Sequence, residues 1–469
     1  MNDSANSKPV RDTFLVSLST ALATVVQAVT TFGLTKLISN EEFGAWREFV
    51  LVAGFTGLLH IGYADGLQVV WCSPKPPIAE PDVRSSLVTI LSFHLLWIAI
   101  GLTISLGLPS LESFPLFFTM VGMYALIGNA STVIQFRAQC RDRFARLSAF
   151  SAAFPTIFLG LAGLLVVKRS ATALHLAIAY CLAVAIASAF VLADPGELSI
   201  RSRRDASRYF GDFHKLIALG APILSLNYTV LGMVNFDKVA AAVLFPAGPF
   251  AIYAFASVLV ALINSVIAGG SRVLLPSFAR HASHGTLDPA VMTSTRAIVL
   301  LWSVAVATYF PAVAIVVRFL PRYTTAIELS RLFFLSSVFL ALAQMVHVNA
   351  CRVLHVERTY LRRAWVLLGG GFVAALAIGH WFSMEALAAL SLGVSIIWAV
   401  MGVQVLTDTG IQAHDRITVL TVVWCGTCFM TAASLLTPSW GAVGYVLASA
   451  PLWTFWRRRY NATAVEAGP

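Results

Sequence analysis

The feature that most constrains this 469-residue chain is a series of long, unbroken apolar runs. A helix that crosses a bilayer needs roughly 17–25 predominantly apolar residues. Fourteen segments meet that requirement: Thr13–Ile38, Phe49–Trp71, Leu87–Leu108, Phe114–Phe136, Leu147–Val167, Ala171–Ala193, Leu216–Leu244, Phe250–Leu275, Ala297–Val317, Leu329–Cys351, Ala364–Trp381, Ala386–Leu406, Ile417–Leu436 and Trp440–Trp456. Only 12% of the residues are charged, about half the share of a soluble domain. These runs therefore predict a membrane protein.

The apolar runs predict helices rather than strands. A membrane barrel would show alternating apolar and polar residues with turns at about every tenth position, and no such alternation interrupts these runs. In lipid, a helix satisfies its own backbone donors and acceptors. The first run is too long for the core of a signal peptide, so we interpret it as an uncleaved span. The expected class is an all-α polytopic membrane protein with about fourteen transmembrane helices.

The positions of Lys and Arg predict the orientation, because cytoplasmic loops of membrane proteins carry an excess of both. With the N-terminus inside, the inner segments hold twenty-three of them, and the outer loops hold only Arg47, Lys168, Arg169, Arg318 and Arg322. Both termini are therefore expected in the cytoplasm. The net charge of +10 follows largely from this bias and does not indicate a nucleic-acid partner.

The chain is expected to contain two similar halves. The largest connection, 194–215, contains the run Arg201-Ser-Arg-Arg204 and separates six spans from the next six. We interpret it as a linker with an orientation signal, although the same run could recognise anionic headgroups. The segment from Lys36 to Trp46 also has a weak echo between Lys238 and Tyr253. The predicted organisation is an N-terminal six-helix bundle (1–193), a cytoplasmic linker (194–215), a second six-helix bundle (216–406), and two additional helices with a cytoplasmic tail (407–469).

Motifs for enzymes and cofactors are missing from the sequence. It has no Gly-rich loop ending in Gly-Lys-Ser/Thr, no His-Glu-x-x-His and no paired Cys/His spacing for a metal. We therefore expect neither an enzyme nor a cofactor or metal site. The six cysteines lie in or beside apolar runs, where buried free thiols are expected.

Ionisable residues within apolar runs are the first candidates for function, because a charge at the bilayer centre is costly. Arg272 lies in the eighth run after Gly269-Gly270-Ser271, and it could face a lumen or extend to the inner interface. Lys36 ends the first run beside Glu41 and Glu42, where it could be interfacial or lie at an outer mouth.

The seventh run carries Asp237 and Lys238. The carboxylate could couple transport to a proton or Na⁺, or it could simply neutralise the lysine. Asn227, Tyr228 and Asn235 precede this pair at spacings that can share a helix face with it. Such groups would suit a path for sugars.

His60 and Asp65 in the second run are further candidates for ion coupling, although five residues do not place them on one face of a continuous helix. A histidine packed in the bundle is the alternative to a coupling role. Asn264 in the eighth run could contact substrate or join helices.

Three segments resemble the Wzx-type polysaccharide flippases. The stretch Leu34–Gly44 resembles their first turn, although Ser39-Asn40 stands where Gly-Pro is common. Leu219-Gly-Ala-Pro222, Asn235-Phe-Asp-Lys238, Tyr253-Ala and Leu275-Pro-Ser-Phe-Ala-Arg280 follow their seventh and eighth helices in order and spacing. The run from Gln135 to Phe144 is similar to their loop after helix four. Together the resemblance covers roughly residues 13–160 and 206–285.

The resemblance implies a bacterial inner-membrane protein of the MOP superfamily, which also contains multidrug (MATE) antiporters and lipid II flippases such as MurJ. It implies two six-helix bundles around a V-shaped central cavity, working by alternating access. The implied substrate is an undecaprenyl-pyrophosphate-linked oligosaccharide for polymer export. Membrane lipids, a polymerase and glycosyltransferases of the same pathway are the implied partners.

Two other functions remain open from the sequence. A cation-coupled multidrug antiporter should have an acidic lumen, and the buried candidates here lean cationic by only four to three. The cations are Lys36, Lys238, Arg272 and Arg331, and the acids are Asp65, Asp237 and Glu328. A membrane polysaccharide polymerase or ligase would resemble enzymes with a large outer loop, and no outer loop here is long.

The candidate role of Arg272 can be tested by two substitutions. Arg272→Ala should abolish polymer export while the protein still inserts, because a cation for the pyrophosphate is lost. Arg272→Lys should retain part of the activity if charge rather than a bidentate fork binds phosphate. Surface polymer and membrane-inserted protein are both quantified, and normal polymer in Arg272→Ala would remove this residue from the mechanism.

Overall fold

Helices make up all the regular structure in the described part of the chain. The computed structural model describes the backbone of residues 3–73, 75–107, 114–192 and 206–466, and side chains over 18–73, 75–100, 102–103, 118–189, 212–260, 274–275 and 277–454. The helices are α1 Asp3–Leu37, α2 Asn40–Phe55, α3 Tyr63–Cys72, α4 Val83–Gly107, α5 Phe114–Cys140, α6 Phe144–Val167, α7 Ala173–Leu192, α8 Ala206–Leu244, α9 Ala247–Ser283, α10 Leu287–Ala305, α11 Tyr309–Phe319, α12 Ala326–Ala341, α13 Val348–Val353, α14 Glu357–Trp381, α15 Met384–Thr407, α16 Arg416–Leu435 and α17 Pro438–Glu466.

The predicted all-α membrane class is confirmed. Among the described residues, nine helical segments are long and apolar enough to cross a membrane, or ten if a bent pair counts as one. Two further apolar helices, Ala173–Ala189 and Ala247–Val260, are shorter over those residues. Each of the fourteen apolar runs coincides with one helix or with an interrupted pair of helices.

The interruptions are the main departure from the predicted unbroken spans. The second run divides into α2, a 3₁₀ turn over Thr56–His60, and α3, and the two parts are bent by 65°. A short 3₁₀ turn separates α10 from α11, and a π turn, Leu342–His347, joins α12 to α13. Apolar composition reports burial in lipid but does not report where the helical hydrogen bonding changes.

The chain divides into two compact units. The first comprises Met1–Leu231 with Pro246–Ala251, and the second comprises Gly232–Phe245 with Ile252–Pro469. The predicted functional division at residues 193, 215 and 406 stays a prediction.

An aromatic cluster anchors the first unit. Tyr180 of α7 packs edge-on against Trp46 and Phe49 of α2 and Phe158 of α6, with ring centroids 5.3–6.2 Å apart. Trp46 and Phe158 also stack on each other, with centroids 5.2 Å apart. Such pairs stabilise a fold by about 0.5–1.5 kcal/mol each beyond burial. Arg47, which was expected in an outer loop, instead lies within α2.

The second unit has an aromatic cluster of its own. Phe429 of α16 contacts Tyr309 of α11, Phe334 of α12 and Tyr445 of α17, with centroids 5.2–6.4 Å apart. The Tyr445 hydroxyl also donates to the Ser303 carbonyl of α10. The last two helices therefore pack within the second unit.

Ionic contacts fix the loop before α16. Arg296 donates to Asp415, which caps α16 by accepting from the Thr418 backbone at 2.8 Å. Partial burial raises the pKa of Asp415, but the hydrogen bonds from Thr418 and Arg296 outweigh it and hold the pKa below its ordinary value. The cap and the neighbouring charge fix the start of the helix.

The prediction of free thiols is wrong for two cysteines. Cys72 at the end of α3 and Cys140 at the end of α5 form a disulfide, with Cα atoms 4.8 Å apart. Cys181, Cys351, Cys425 and Cys428 are free. The packing of α3 against α5 brings residues 68 positions apart together, and sequence spacing alone does not reveal this.

The disulfide predicts the number of titratable thiols. Denatured protein kept from reductant should take up four maleimide-polyethylene glycol groups, and reduced protein should take up six. Cys428→Ser is the control, because it should lower both numbers by one. Six groups on unreduced protein would contradict the disulfide.

Candidate functional site

The interrupted second span forms the most distinctive polar feature of the first unit. After α2 ends, Ile61 and Gly62 adopt left-handed backbone conformations, with φ of 45° and 94°, and α3 then begins at Tyr63. Such breaks in a membrane span free backbone groups, which must find new partners. Transporters often bind substrates and coupling ions at discontinuous helices.

Three glycines let α8 pack directly on this break. A Cβ on Gly62 would lie 2.6 Å from the Ala221 nitrogen, and one on Gly220 would lie 1.9 Å from the Gly62 oxygen. A Cβ on Gly66 would lie 2.0 Å from the Leu216 oxygen. The positive φ of Gly62 adds a second reason for glycine at that position. The local sequence thus produces backbone-to-backbone contact of α8 with α3.

His60 and Asp65 meet at the break. Both are 4% exposed, and His60 Nε2 lies 3.9 Å from Asp65 Oδ2. His60 Nδ1 accepts a hydrogen bond from the Gly62 amide at 3.2 Å, so the neutral ring carries its proton on Nε2, which faces the carboxylate. Asp65 Oδ2 has no hydrogen-bond partner among the described residues. The Asp65 carboxylate can take up a proton or a small cation, and the His60 Nε2–H group can donate a hydrogen bond to it or to a hydroxyl group between them.

A second polar network, formed by side chains of α4 and α5, contacts the 3₁₀ turn at the break. Asn129 of α5 donates to the Thr56 carbonyl at 3.1 Å, and its Nδ2 lies 2.6 Å from Nε2 of His94 on α4. His94 Nδ1 lies 2.7 Å from the Ile90 carbonyl, so Nδ1 donates to it and Nε2 accepts from Asn129. The network supplies a partner to a carbonyl at the point where the helix changes.

Tyr228 of α8 approaches the same turn. A Cβ on Gly57 would lie 1.9 Å from its hydroxyl oxygen, so the hydroxyl lies directly against the Gly57 backbone. Of the residues predicted as sites, His60, Asp65 and Tyr228 are therefore brought together. Asn227 is exposed.

The predicted pair in the second unit is paired locally. Asp237 is fully buried, and it accepts from the Tyr253 hydroxyl at 2.8 Å and lies 3.5 Å from Lys238 Nζ. Lys238 also donates to the Val234 carbonyl. Asp237 and Lys238 therefore lie close enough to neutralise each other, and a coupling role for Asp237 stays a prediction. Asn235 is half-buried on the same helix.

The remaining predicted residues lie elsewhere. Lys36 is exposed in the last turn of α1. Its neighbour Glu42 accepts from the Ala173 amide at the start of α7, a favourable place for a carboxylate. The side chains of Arg272 and Asn264, on α9, lie outside the described residues. Among the described residues, no group of three or more His, Cys, Asp or Glu side chains could hold a metal ion.

Comparison with known proteins identifies the fold. No family model matches the sequence, and no curated protein sequence matches it. The lipid II flippase MurJ, in an inward closed conformation, is similar with a TM-score of 0.68 and 12% identity, over 94% of this chain and 99% of that chain. The chain has the MurJ and MATE fold.

Two MATE structures are also similar, with lower TM-scores and coverage. One is a MATE in complex with MaL6, with a TM-score of 0.59 and 12% identity, over 86% of this chain and 96% of that chain. The other is a multidrug resistance MATE family transporter of the MOP superfamily in an outward-facing conformation, with a TM-score of 0.54 and 13% identity, over 86% and 96%. The MurJ and MATE fold accordingly extends over most of the chain.

His94 and Asn129 were not predicted as site residues, although both belong to the network that contacts the break. The available signal was weak: four glycines in the second run, with polar residues in the third and fourth runs. The link between His94, Asn129 and the Thr56 carbonyl depends on the packing of α4 and α5, which hydropathy does not specify.

The close packing at the break predicts a strong effect of one added methyl group. Gly220→Ala should reduce the free energy of unfolding by on the order of 1–3 kcal/mol, because its Cβ overlaps the Gly62 carbonyl. The thermal unfolding midpoint should fall accordingly. Gly160→Ala is the matched control, since a Cβ there meets nothing within 4 Å, and it should be neutral or stabilising. Equal midpoints for the two variants, measured by scanning fluorimetry, would refute the backbone contact.

Proposed function

We propose that the protein is a flippase of the bacterial inner membrane, with both termini in the cytoplasm. It moves an undecaprenyl-pyrophosphate-linked oligosaccharide across the bilayer by alternating access, for export of an O-antigen or exopolysaccharide polymer. Glycosyltransferases would supply the substrate, and a polymerase would use it after transfer. The protein acts as a transporter, without cofactor or catalytic centre.

One observation carries this proposal: a membrane span is broken at a buried His60–Asp65 pair that leaves a carboxylate oxygen without a hydrogen-bond partner among the described residues. An apolar structural helix has no need of such a group, and burying it is costly. The shared fold with MurJ and the three segments that resemble Wzx-type flippases support a lipid-linked sugar as the cargo.

The headgroup requires cations and hydrogen-bonding groups. Arg272, Lys238 and Lys36 are the proposed partners of the pyrophosphate, and Arg272 is the foremost because Asp237 already pairs with Lys238. The sugars would meet the remaining polar groups. These are Asn227, Tyr228, Asn235 and Asn264.

Ion coupling is assigned to His60 and Asp65. Protonation of Asp65, or binding of a cation to it, would remove an uncompensated negative charge from the break. The two states of the carboxylate then favour different conformations of the span, which is the differential interaction that coupling requires. Asp237 is the weaker candidate, because a lysine lies 3.5 Å from its Oδ1 and Tyr253 donates to its Oδ2, although Oδ1 also has no hydrogen-bond partner among the described residues.

A cation-coupled multidrug antiporter is the second candidate function. Its supporting observation is a buried carboxylate in each unit, Asp65 and Asp237, together with the fold shared with MATE transporters. A membrane polymerase or ligase has less support, since the sequence contains no large outer loop.

Transport in proteoliposomes tests the proposal. The purified protein should flip a fluorescent undecaprenyl-diphosphate-linked sugar, measured by dithionite quenching, and an imposed proton or Na⁺ gradient should accelerate it. Asp65→Asn should reduce the gradient-driven rate by roughly tenfold, because the carboxylate is lost while its shape remains. Asp408→Asn is the control, because Asp408 forms an exposed ion pair with Arg363.

Three results separate the alternatives. Ethidium transport without sugar flipping would favour the antiporter. Unchanged gradient dependence in Asp65→Asn would remove the break from coupling. No flipping by folded wild-type protein, in the presence of either gradient, would overturn the flippase assignment.

A further inference from the structure

A cavity of about 490 Å³ lies in the first unit beside the broken span. We call it the α4 pocket. Its walls come from α2 and the following 3₁₀ turn, from α4 and from α5. The lining includes Val52 of α2, Thr56 and Leu59 of the turn, His94 and Trp97 of α4, and Ala125 of α5. The volume is within the range of pockets that enclose much of a drug-sized ligand.

The lining of the α4 pocket suits an apolar ligand. The Thr56 hydroxyl donates to the Ala53 carbonyl, and both His94 nitrogens have partners in Ile90 and Asn129. These inner polar side chains therefore need no hydrogen bond from an occupant. An apolar cavity of this kind favours hydrocarbon over water.

The rim of the pocket belongs to the lipid-facing surface. Val52, Trp97 and Ile100 are 39%, 37% and 41% exposed, and the neighbouring Leu95 and Leu96 of α4 are more than half exposed. This part of α4 is long and apolar enough to span a membrane. Exposed apolar side chains on such a helix contact hydrocarbon, so a lipid chain can enter sideways from the bilayer.

The pocket also contacts the site of proposed ion coupling. Thr56 and Leu59 of its wall belong to the 3₁₀ turn that ends at His60. On the α5 side, the Ile98 side chain packs against Gly122, where a Cβ would lie 2.8 Å from Ile98 Cγ1. The wall shared with the 3₁₀ turn places an apolar pocket next to the polar break, which is the arrangement that a substrate with a polar headgroup and a hydrocarbon chain requires.

We propose that the α4 pocket binds several isoprene units of the carrier lipid of the substrate, beside the break in the second span. The inference rests on the proposed function, since it assigns a binding site to the lipid chain of the same substrate.

Photo-crosslinking tests whether the lipid chain binds in the α4 pocket, and it does not require transport. The full chain is placed in nanodiscs of phosphatidylcholine and phosphatidylglycerol that contain either a diazirine-labelled polyprenyl phosphate or a diazirine-labelled phosphatidylcholine. The polyprenyl probe should label peptides of α4 and α5 around residues 94–100 and 118–125. Ala125→Phe, which fills the cavity, should reduce that labelling by about fivefold or more.

Two further variants keep the test decisive. Leu96→Phe adds the same ring to exposed α4 surface outside the pocket, and its labelling should stay within about twofold of wild type. Val52→Phe narrows the rim without entering the packed wall, and it should also reduce labelling. It replaces Ala125→Phe if that variant fails to give a single peak in gel filtration.

Two outcomes would refute binding of the carrier lipid in the α4 pocket. Labelling by the polyprenyl probe that is unchanged in the pocket-filling variant would show that the pocket is not its site. Equal labelling by the phosphatidylcholine probe, with the same loss in the variant, would show a site for ordinary bilayer lipid. If wild-type protein flips substrate but shows either pattern, only the lipid site in the pocket is refuted. If the protein is labelled but does not flip substrate, the proposed function is refuted.

Discussion

Every backbone donor and acceptor in a bilayer core needs a partner, and the interrupted second span depends on that constraint. Where α2 gives way to the 3₁₀ turn, Asn129 supplies a donor for the Thr56 carbonyl. Where the turn ends, the His60 ring accepts from the Gly62 amide. Side chains thus take over hydrogen bonds that a continuous helix would make within itself. The break is consequently stabilised by contacts with its neighbours, α4 and α5, and not only by the low helix propensity of glycine.

The two buried carboxylates each leave one oxygen without a hydrogen-bond partner among the described residues, Asp65 Oδ2 and Asp237 Oδ1, but they differ in the charge beside them. Asp237 accepts from Tyr253 and lies beside Lys238, so its charge is balanced within one turn and one neighbouring helix. Asp65 has His60 at 3.9 Å and an oxygen without a hydrogen-bond partner among the described residues. A buried charge with so little compensation is costly, and proteins retain such groups where the charge changes during function.

Hydropathy was sufficient to predict the helical membrane class, because each apolar run has enough length to cross the bilayer. It could not predict the site, because the run through Ile61 and Gly62 stays apolar where the helix breaks. On a continuous helix His60 and Asp65 would lie on different faces, and only the 65° bend brings them together. The same limit applies to Cys72 and Cys140, whose pairing depends on the packing of α3 against α5. Local sequence specifies the helices, while the contacts among them select which polar residues meet.

A flippase must bind the two parts of its substrate in different environments, since the headgroup needs polar groups and the chain needs hydrocarbon. The 3₁₀ turn borders both environments in the first unit, with Thr56 and Leu59 in the apolar wall and His60 in the polar break. A ligand changes a conformational equilibrium only if it interacts differently with the two conformations. A chain that contacts this turn would meet that condition, because any movement of the turn alters the wall of the pocket. The same movement would alter the distance between His60 and Asp65. Occupancy of the pocket and the charge state of the carboxylate would then influence each other reciprocally, as linkage requires.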